Sequence, residues 1–155
     1  LVLIAIYLVR PPPRNTAVGW MERYLPLAVT FAPAAILQVH PDITPPTAAI
    51  VTCCLGIVLA LWGLLYLRSN FSIMVEGRDL VTAGPYRWVR HPIYLGEIVT
   101  LLGLIWLSPH WITIAGATAT IAGQLWRAWL EERKLRQIFG TDYLNYCQHS
   151  WWFHN

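Results

Sequence analysis

Hydrophobic positions are not scattered along this chain but gathered into blocks. Residues 24–39, 47–67, 93–107 and 111–126 are apolar almost throughout, with Glu97 the one charge among them. A hydrocarbon core takes about 20 helical residues, so each block predicts a helix that covers much or all of a membrane. Residues 1–9 are equally apolar but short. A signal peptide would carry its basic segment before the apolar run, whereas Arg10-Pro-Pro-Pro-Arg14 follows it. Residues 1–9 therefore predict the visible end of a longer first span, which makes five spans. Pro41, Pro45 and Pro46 break one connection, and Ser108-Pro109-His110 closes a tight hairpin that makes the last two spans antiparallel neighbours.

Polar periodicity takes over at residue 127 and runs to about 147. Glu131 with Leu135, Glu132 with Arg136 and Leu130 with Lys134 stand at i, i+4 spacing ahead of a Phe139-Gly140 stop. The last span thus continues as a polar helix into the cytosol. Small residues at helical spacing, Gly56 with Ala60 and then Ala115, Ala119 and Gly123, predict close helix contacts in lipid. The fold class expected is all-α: a polytopic membrane helix bundle of about five spans, spans 4 and 5 forming a hairpin, with a cytosolic C-terminal helix. One domain covers residues 1–155, with N-terminal spans in 1–67 and the functional region in 68–147.

Composition agrees with that pattern: the 155 residues are 56% hydrophobic and 12% charged, far from an ordinary soluble domain. Charge adds orientation. The 11 basic residues fall in three groups: Arg10, Arg14 and Arg23; Arg68, Arg78, Arg87 and Arg90; and Arg127, Arg133, Lys134 and Arg136. The connections at 40–46 and 108–110 hold none, so the positive-inside rule places the long loop and the tail in the cytoplasm and the N-terminus outside. The net charge of +3 is a topology signal, for which membrane lipids are sufficient partners, and no basic-aromatic surface suits nucleic acid. Cys53, Cys54 and Cys147 predict no disulfide and no chemistry.

Candidate chemistry concentrates at the cytosolic boundary. Gly84-Pro85 makes a turn, and Pro92 suits the first turn of a helix, which leaves Arg90 and His91 capping the fourth span. Free N–H groups and a partial positive charge at that end favour an anionic ligand group. His91, Tyr94 and Glu97 follow at intervals of three and share one helical face. An ionisable group within a span costs roughly 2.5–3.5 kcal/mol on insertion scales, so Glu97 is either a site residue or the partner of a structural ion pair with Arg127. Arg127, Glu131 and Glu132 form a second cluster, which the hairpin brings beside the first. Trp106, Trp111 and Trp151-Trp152-Phe153 read as interfacial anchors.

Glycine-rich nucleotide motifs and a nucleophilic serine elbow are missing. The histidines, His40, His91, His110, His149 and His154, are too scattered to predict a metal site.

Four segments in order, Asn70-Phe71-Ser72, Leu80-Val81-Thr82-x-Gly84-Pro85-Tyr86-Arg87, Val89-Arg90-His91-Pro92-x-Tyr94-x-Gly96 and Glu131-Glu132-x-x-Leu135-x-x-x-Phe139-Gly140-x-x-Tyr143-x-x-Tyr146, resemble one family. It is the isoprenylcysteine carboxyl methyltransferase and phospholipid methyltransferase superfamily in its short prokaryotic-type form, and the likeness covers about residues 68–147.

That resemblance implies S-adenosylmethionine as methyl donor and a lipophilic acceptor entering from the bilayer. It implies an active site facing the cytoplasm, in a prokaryotic inner membrane rather than the endoplasmic reticulum. Carried onto this chain, it makes Val89, His91, Pro92, Tyr94, Leu95 and Glu131 the cofactor-binding residues. Arg90, Arg127 and Glu132 become the residues that orient the acceptor. The acceptor it favours is the carboxylate of an isoprenylcysteine-like substrate; a phospholipid amine is the alternative, for which Glu97 or Glu132 would serve as base. A nicotinamide-dependent sterol reductase and a non-catalytic membrane scaffold are the remaining readings. After Tyr146 the family usually continues into a basic, proline-ended segment, whereas residues 147–155 read CQHSWWFHN.

Overall fold

A computed structural model describes residues 44–67 and 80–153. The predicted spans at 1–9 and 24–39, and the Asn70-Phe71-Ser72 segment, lie outside these residues. Among the described residues the structure is all helical. Helix α1 spans Thr47–Leu67, α2 Pro92–Leu107, α3 Trp111–Phe139 and α4 Thr141–His149, with a 3₁₀ turn at Gly84–Arg87. One of them, α1, is long and apolar enough to cross a membrane; α2 is a shorter apolar helix of 16 residues.

α1 starts just after Pro45 and Pro46, with the Ala49 N–H donating to the Pro46 carbonyl at 2.9 Å. Its broadest contact is with α2, and backbone proximity explains why. A Cβ on Gly96 would stand 2.6 Å from both the Ala60 nitrogen and the Gly56 oxygen, and one on Gly56 would be 2.6 Å from the Gly96 oxygen. Gly103 fits against Cys53 in the same way. Helices associate in lipid mainly through such packing, because lipid tails are as apolar as leucine. The opposite side of α1 presents Leu55, Val58 and Leu65, each more than 60% exposed.

The hairpin forms as the sequence predicts. Ser108 donates its N–H to Leu104, and the His110 ring accepts from the Ile112 N–H at 3.3 Å, which caps α3. Leu101 and Leu104 of α2 then meet Ala117 of α3 in a small core flanked by Ile105, Ile112 and Ile121. The inward face of α3 runs through Thr113, Ala117, Thr120, Gln124, Ala128 and Glu132. Ala115 and Ala119, predicted to be a contact stripe, are exposed. The buried stripe is out of phase with them, because it takes up Thr113 and Thr120, which look polar in sequence; the Thr120 hydroxyl donates to its own helix at the Gly116 carbonyl.

α3 passes residue 127 without a break. Its 29 residues span about 44 Å at 1.5 Å per residue, well beyond a hydrocarbon core of about 30 Å. It ends where the sequence places the stop: Gly140 takes φ 51°, the left-handed region that favours glycine, and its N–H caps the Arg136 carbonyl. α4 follows as a separate short helix.

Candidate active site

The loop before α2 is folded by local rules. Gly84 has φ 60° and sits against the Tyr66 ring, where a Cβ would collide. The turn that follows buries Pro85 and Tyr86. Pro92 opens α2 with no N–H to satisfy, and the Leu95 N–H returns to the His91 carbonyl. These constraints aim Arg90 and His91 across at α3.

The two predicted clusters meet there. Arg90 Nη1 lies 3.1 Å from Glu132 Oε1, with side chains 1% and 3% exposed. His91 Nε2 stands 3.4 Å from the same oxygen, and Arg136 donates to the other oxygen at 3.3 Å. On the adjoining side the Tyr94 hydroxyl donates to Glu131 Oε2 at 2.7 Å, with His91 Nδ1 4.0 Å from that oxygen. The Arg127 guanidinium lies over the Tyr94 ring, 5.1 Å from its centre. Val89 and Leu95 pack around the core of Tyr94, Ala128 and Trp152, and Pro92 is buried at the helix start. All nine residues singled out by the resemblance therefore gather on one side of the α2–α3 pair. His91 is the common point, since it touches both glutamates.

Electrostatics follow from burial and partners. Burial alone would raise the Glu132 carboxyl, but contact with His91 and the charges of Arg90 and Arg136 outweigh it, so the group sits below its ordinary 4.5. Burial is the main cause that raises the Tyr86 and Tyr143 phenols, and it pushes Tyr146 up to about 12. All three are neutral donors at physiological pH. Tyr146 uses its proton on the Tyr86 carbonyl at 2.6 Å, whereas the fully buried Tyr143 hydroxyl has no hydrogen-bond partner among the described residues.

A depressed carboxyl stabilises the fold at every pH above its ordinary value, and that contribution disappears as pH falls through the folded value. The unfolding midpoint of the wild type should therefore exceed that of Glu132→Gln by a constant margin at neutral pH and converge with it below pH 4.5. Parallel thermal melts in detergent across that range give the comparison. A margin that persists undiminished in acid would contradict the ion-pair account.

Glu97 takes its hydrogen bond from the Gln124 amide on α3, with Arg127 close enough for the two charges to interact. The expected partner Arg127 is thus at hand, and the Gln124 amide adds a second one.

Three features were missed. Cys147, to which the sequence assigned no chemistry, places its sulfur 3.3 Å from Arg90 Nη1. Tyr143 approaches Glu132 from α4. Trp152 is no interfacial anchor: it is 5% exposed, while Trp106, Trp111, Trp151 and Phe153 are all more than half exposed. Its ring centre lies 4.7 Å from that of His91. The tail returns because Trp151 bridges to the site loop, donating to the Trp88 carbonyl at 2.7 Å and accepting from the Arg90 N–H at 3.1 Å.

Comparison with known proteins covers this same region. The family model for phospholipid methyltransferase matches residues 46–142. The protein-S-isoprenylcysteine O-methyltransferase of Tribolium castaneum is 34% identical over 106 residues, 62% of this chain and 36% of that protein. The protein of the same name from Xenopus laevis is 30% identical over 125 residues, 70% of this chain and 41% of its own length. The chain thus spans less than half the length of these curated relatives. No solved structure matches it significantly. Since the matched segment takes in α1, the site loop, α2 and α3, and all nine gathered residues fall within it, the chain belongs to the phospholipid methyltransferase family.

Proposed function

We propose that this chain is an S-adenosylmethionine-dependent methyltransferase of a multi-pass membrane protein, acting at the cytosolic face on a lipophilic acceptor. The carboxylate of an isoprenylcysteine-like molecule is the acceptor favoured. The observation that carries the reading is the buried contact of Arg90 and His91 with Glu132, beside Tyr94 and Glu131, in a chain whose relatives bear the name isoprenylcysteine O-methyltransferase. Its orientation rests on the basic residues and on the length of α3 beyond a bilayer.

The residues suit such a donor. Its carboxylate needs hydrogen-bond donors, and the buried Tyr143 hydroxyl lacks a partner among the described residues. Its ammonium needs an acid, and the Glu131 side chain, 32% exposed, is reachable. When bound, the cofactor would supply an electrophilic methyl group for the acceptor oxygen, with its thioether as the leaving group. The chain contributes alignment and exclusion of water. Arg90 and Arg127 hold the acceptor carboxylate, already a nucleophile. Glu132 fixes Arg90, and the α2–α3 packing keeps the reacting groups at the membrane boundary. An amine acceptor is the second reading, favoured by the matched family's description and by Glu97, a carboxylate able to take a proton near Arg127.

Calorimetric titration of the detergent-purified protein with S-adenosylhomocysteine tests the reading. Binding should be saturable, and His91→Ala should weaken it by about tenfold or more, equivalent to 1.4 kcal/mol. Absence of binding by folded wild-type protein would refute the methyltransferase assignment.

A further inference from the structure

Trp152 lies ten residues beyond the end of the family match at residue 142, in the tail that departs from the family pattern. It is nevertheless among the most buried aromatic residues described, 5% exposed. It shares a core with Tyr94 and Ala128. Its ring meets His91 at 4.7 Å with a 59° tilt, while His91 stacks on Tyr94 at 5.4 Å and 11°. Imidazole, phenol and indole thus form one packed group, and the imidazole is the member that faces both glutamates.

The segment that delivers Trp152 is tied on each side of the site. The Ser150 hydroxyl donates to the Tyr146 carbonyl at 2.7 Å, closing α4, and Trp151 exchanges two backbone hydrogen bonds with Trp88 and Arg90. The second of these joins the tail to the residue that bears the Glu132 ion pair. Trp151 itself points away, 51% exposed. Such a bridge does not arise from helix docking. It holds one particular side chain, Trp152, against one particular ring.

We propose that Trp152 is a positioning residue of the methyl-donor site: packed against His91, it fixes the imidazole so that its two nitrogens address Glu131 and Glu132. Donor affinity in this chain then depends on an aromatic group supplied by the tail, outside the family's shared motifs. The proposal rests on the methyltransferase reading for its ligand but not for its geometry, so the two are tested apart.

Trp152→Phe keeps an aromatic face, and Trp152→Leu keeps apolar filling without one; Trp151→Ala controls for loss of tail aromatics. Each is titrated with S-adenosylhomocysteine, melted in detergent, and labelled with ¹⁵N-histidine to follow the His91 ring resonances. Trp152→Leu should bind about tenfold more weakly with shifted His91 resonances. Trp152→Phe should stay within about threefold of the wild type, and Trp151→Ala should match it. Unshifted His91 resonances in Trp152→Leu overturn the proposal whether or not the wild type binds the ligand. So does weakened binding that tracks only a lower unfolding midpoint, and so does equal loss in the Phe and Leu variants. A wild type that fails to bind refutes the methyltransferase reading instead, while a His91 shift restored by Phe still supports the positioning role.

Discussion

Glu132→Ala should abolish methyl transfer and bring the protein close to unfolding, whereas Glu132→Gln should abolish transfer from a protein that remains folded. The reason is the company the carboxylate keeps: Arg90 at 3.1 Å, His91 at 3.4 Å and Arg136 at 3.3 Å, with the Arg90 and Glu132 side chains almost fully buried. Removing one partner of a buried pair strands the other charge out of water, at a cost of about 3–5 kcal/mol. That is a large part of a total stability of about 5–15 kcal/mol. Glutamine keeps the shape and one oxygen, so most of the packing survives while the charge that fixes Arg90 does not. Arg136→Ala, on the rim with a side chain 40% exposed, should cost no more than about 1 kcal/mol. Activity and unfolding measured on the same preparations separate these outcomes. A Glu132→Ala protein as stable as the wild type would show that the ion pair is not what organises the site.

Gly96→Leu should be comparably damaging from a position with no functional group at all. Any Cβ there meets the Ala60 nitrogen and the Gly56 oxygen at 2.6 Å, and backbone atoms cannot rotate aside as a side chain can. The helices must separate, and overpacking of this kind costs about 1–3 kcal/mol or more. Because α2 also carries Tyr94 and starts at Pro92 beside His91, the displacement reaches the proposed donor site. S-adenosylhomocysteine affinity should fall together with the unfolding midpoint. Leu102→Ala, on the exposed side of α2, should change neither, within about 0.5 kcal/mol. Wild-type affinity in Gly96→Leu would mean that α1 does not set the position of α2.

Much of this arrangement is legible in the residues themselves, because it depends on local signals. The proline at 92, the hairpin at 108–110 and the stop at Gly140 each act within one turn of chain, and they place Arg90 and His91 opposite Glu131 and Glu132. Helical phase is harder to read. Ala115 and Ala119 match a small-residue pattern as well as Thr113, Ala117 and Thr120 do, and only the position of α2 decides which row is buried. Gln124 as the partner of Glu97 is hidden for the same reason. Trp152 is hidden more deeply: its placement depends on a bridge between Val89 and Trp151, and nothing near either residue announces a contact so distant in sequence.

The unbroken course of α3 makes it a lever. From Trp111 to Glu132 the helix runs about 32 Å without a proline to absorb bending. A tilt of about 2° at the hairpin end therefore moves the glutamates by about 1 Å, enough to part contacts made at 3.1 and 3.4 Å. The alignment of the charged groups is thus set partly by how Leu101, Leu104 and Ala117 mesh near the other end of the hairpin.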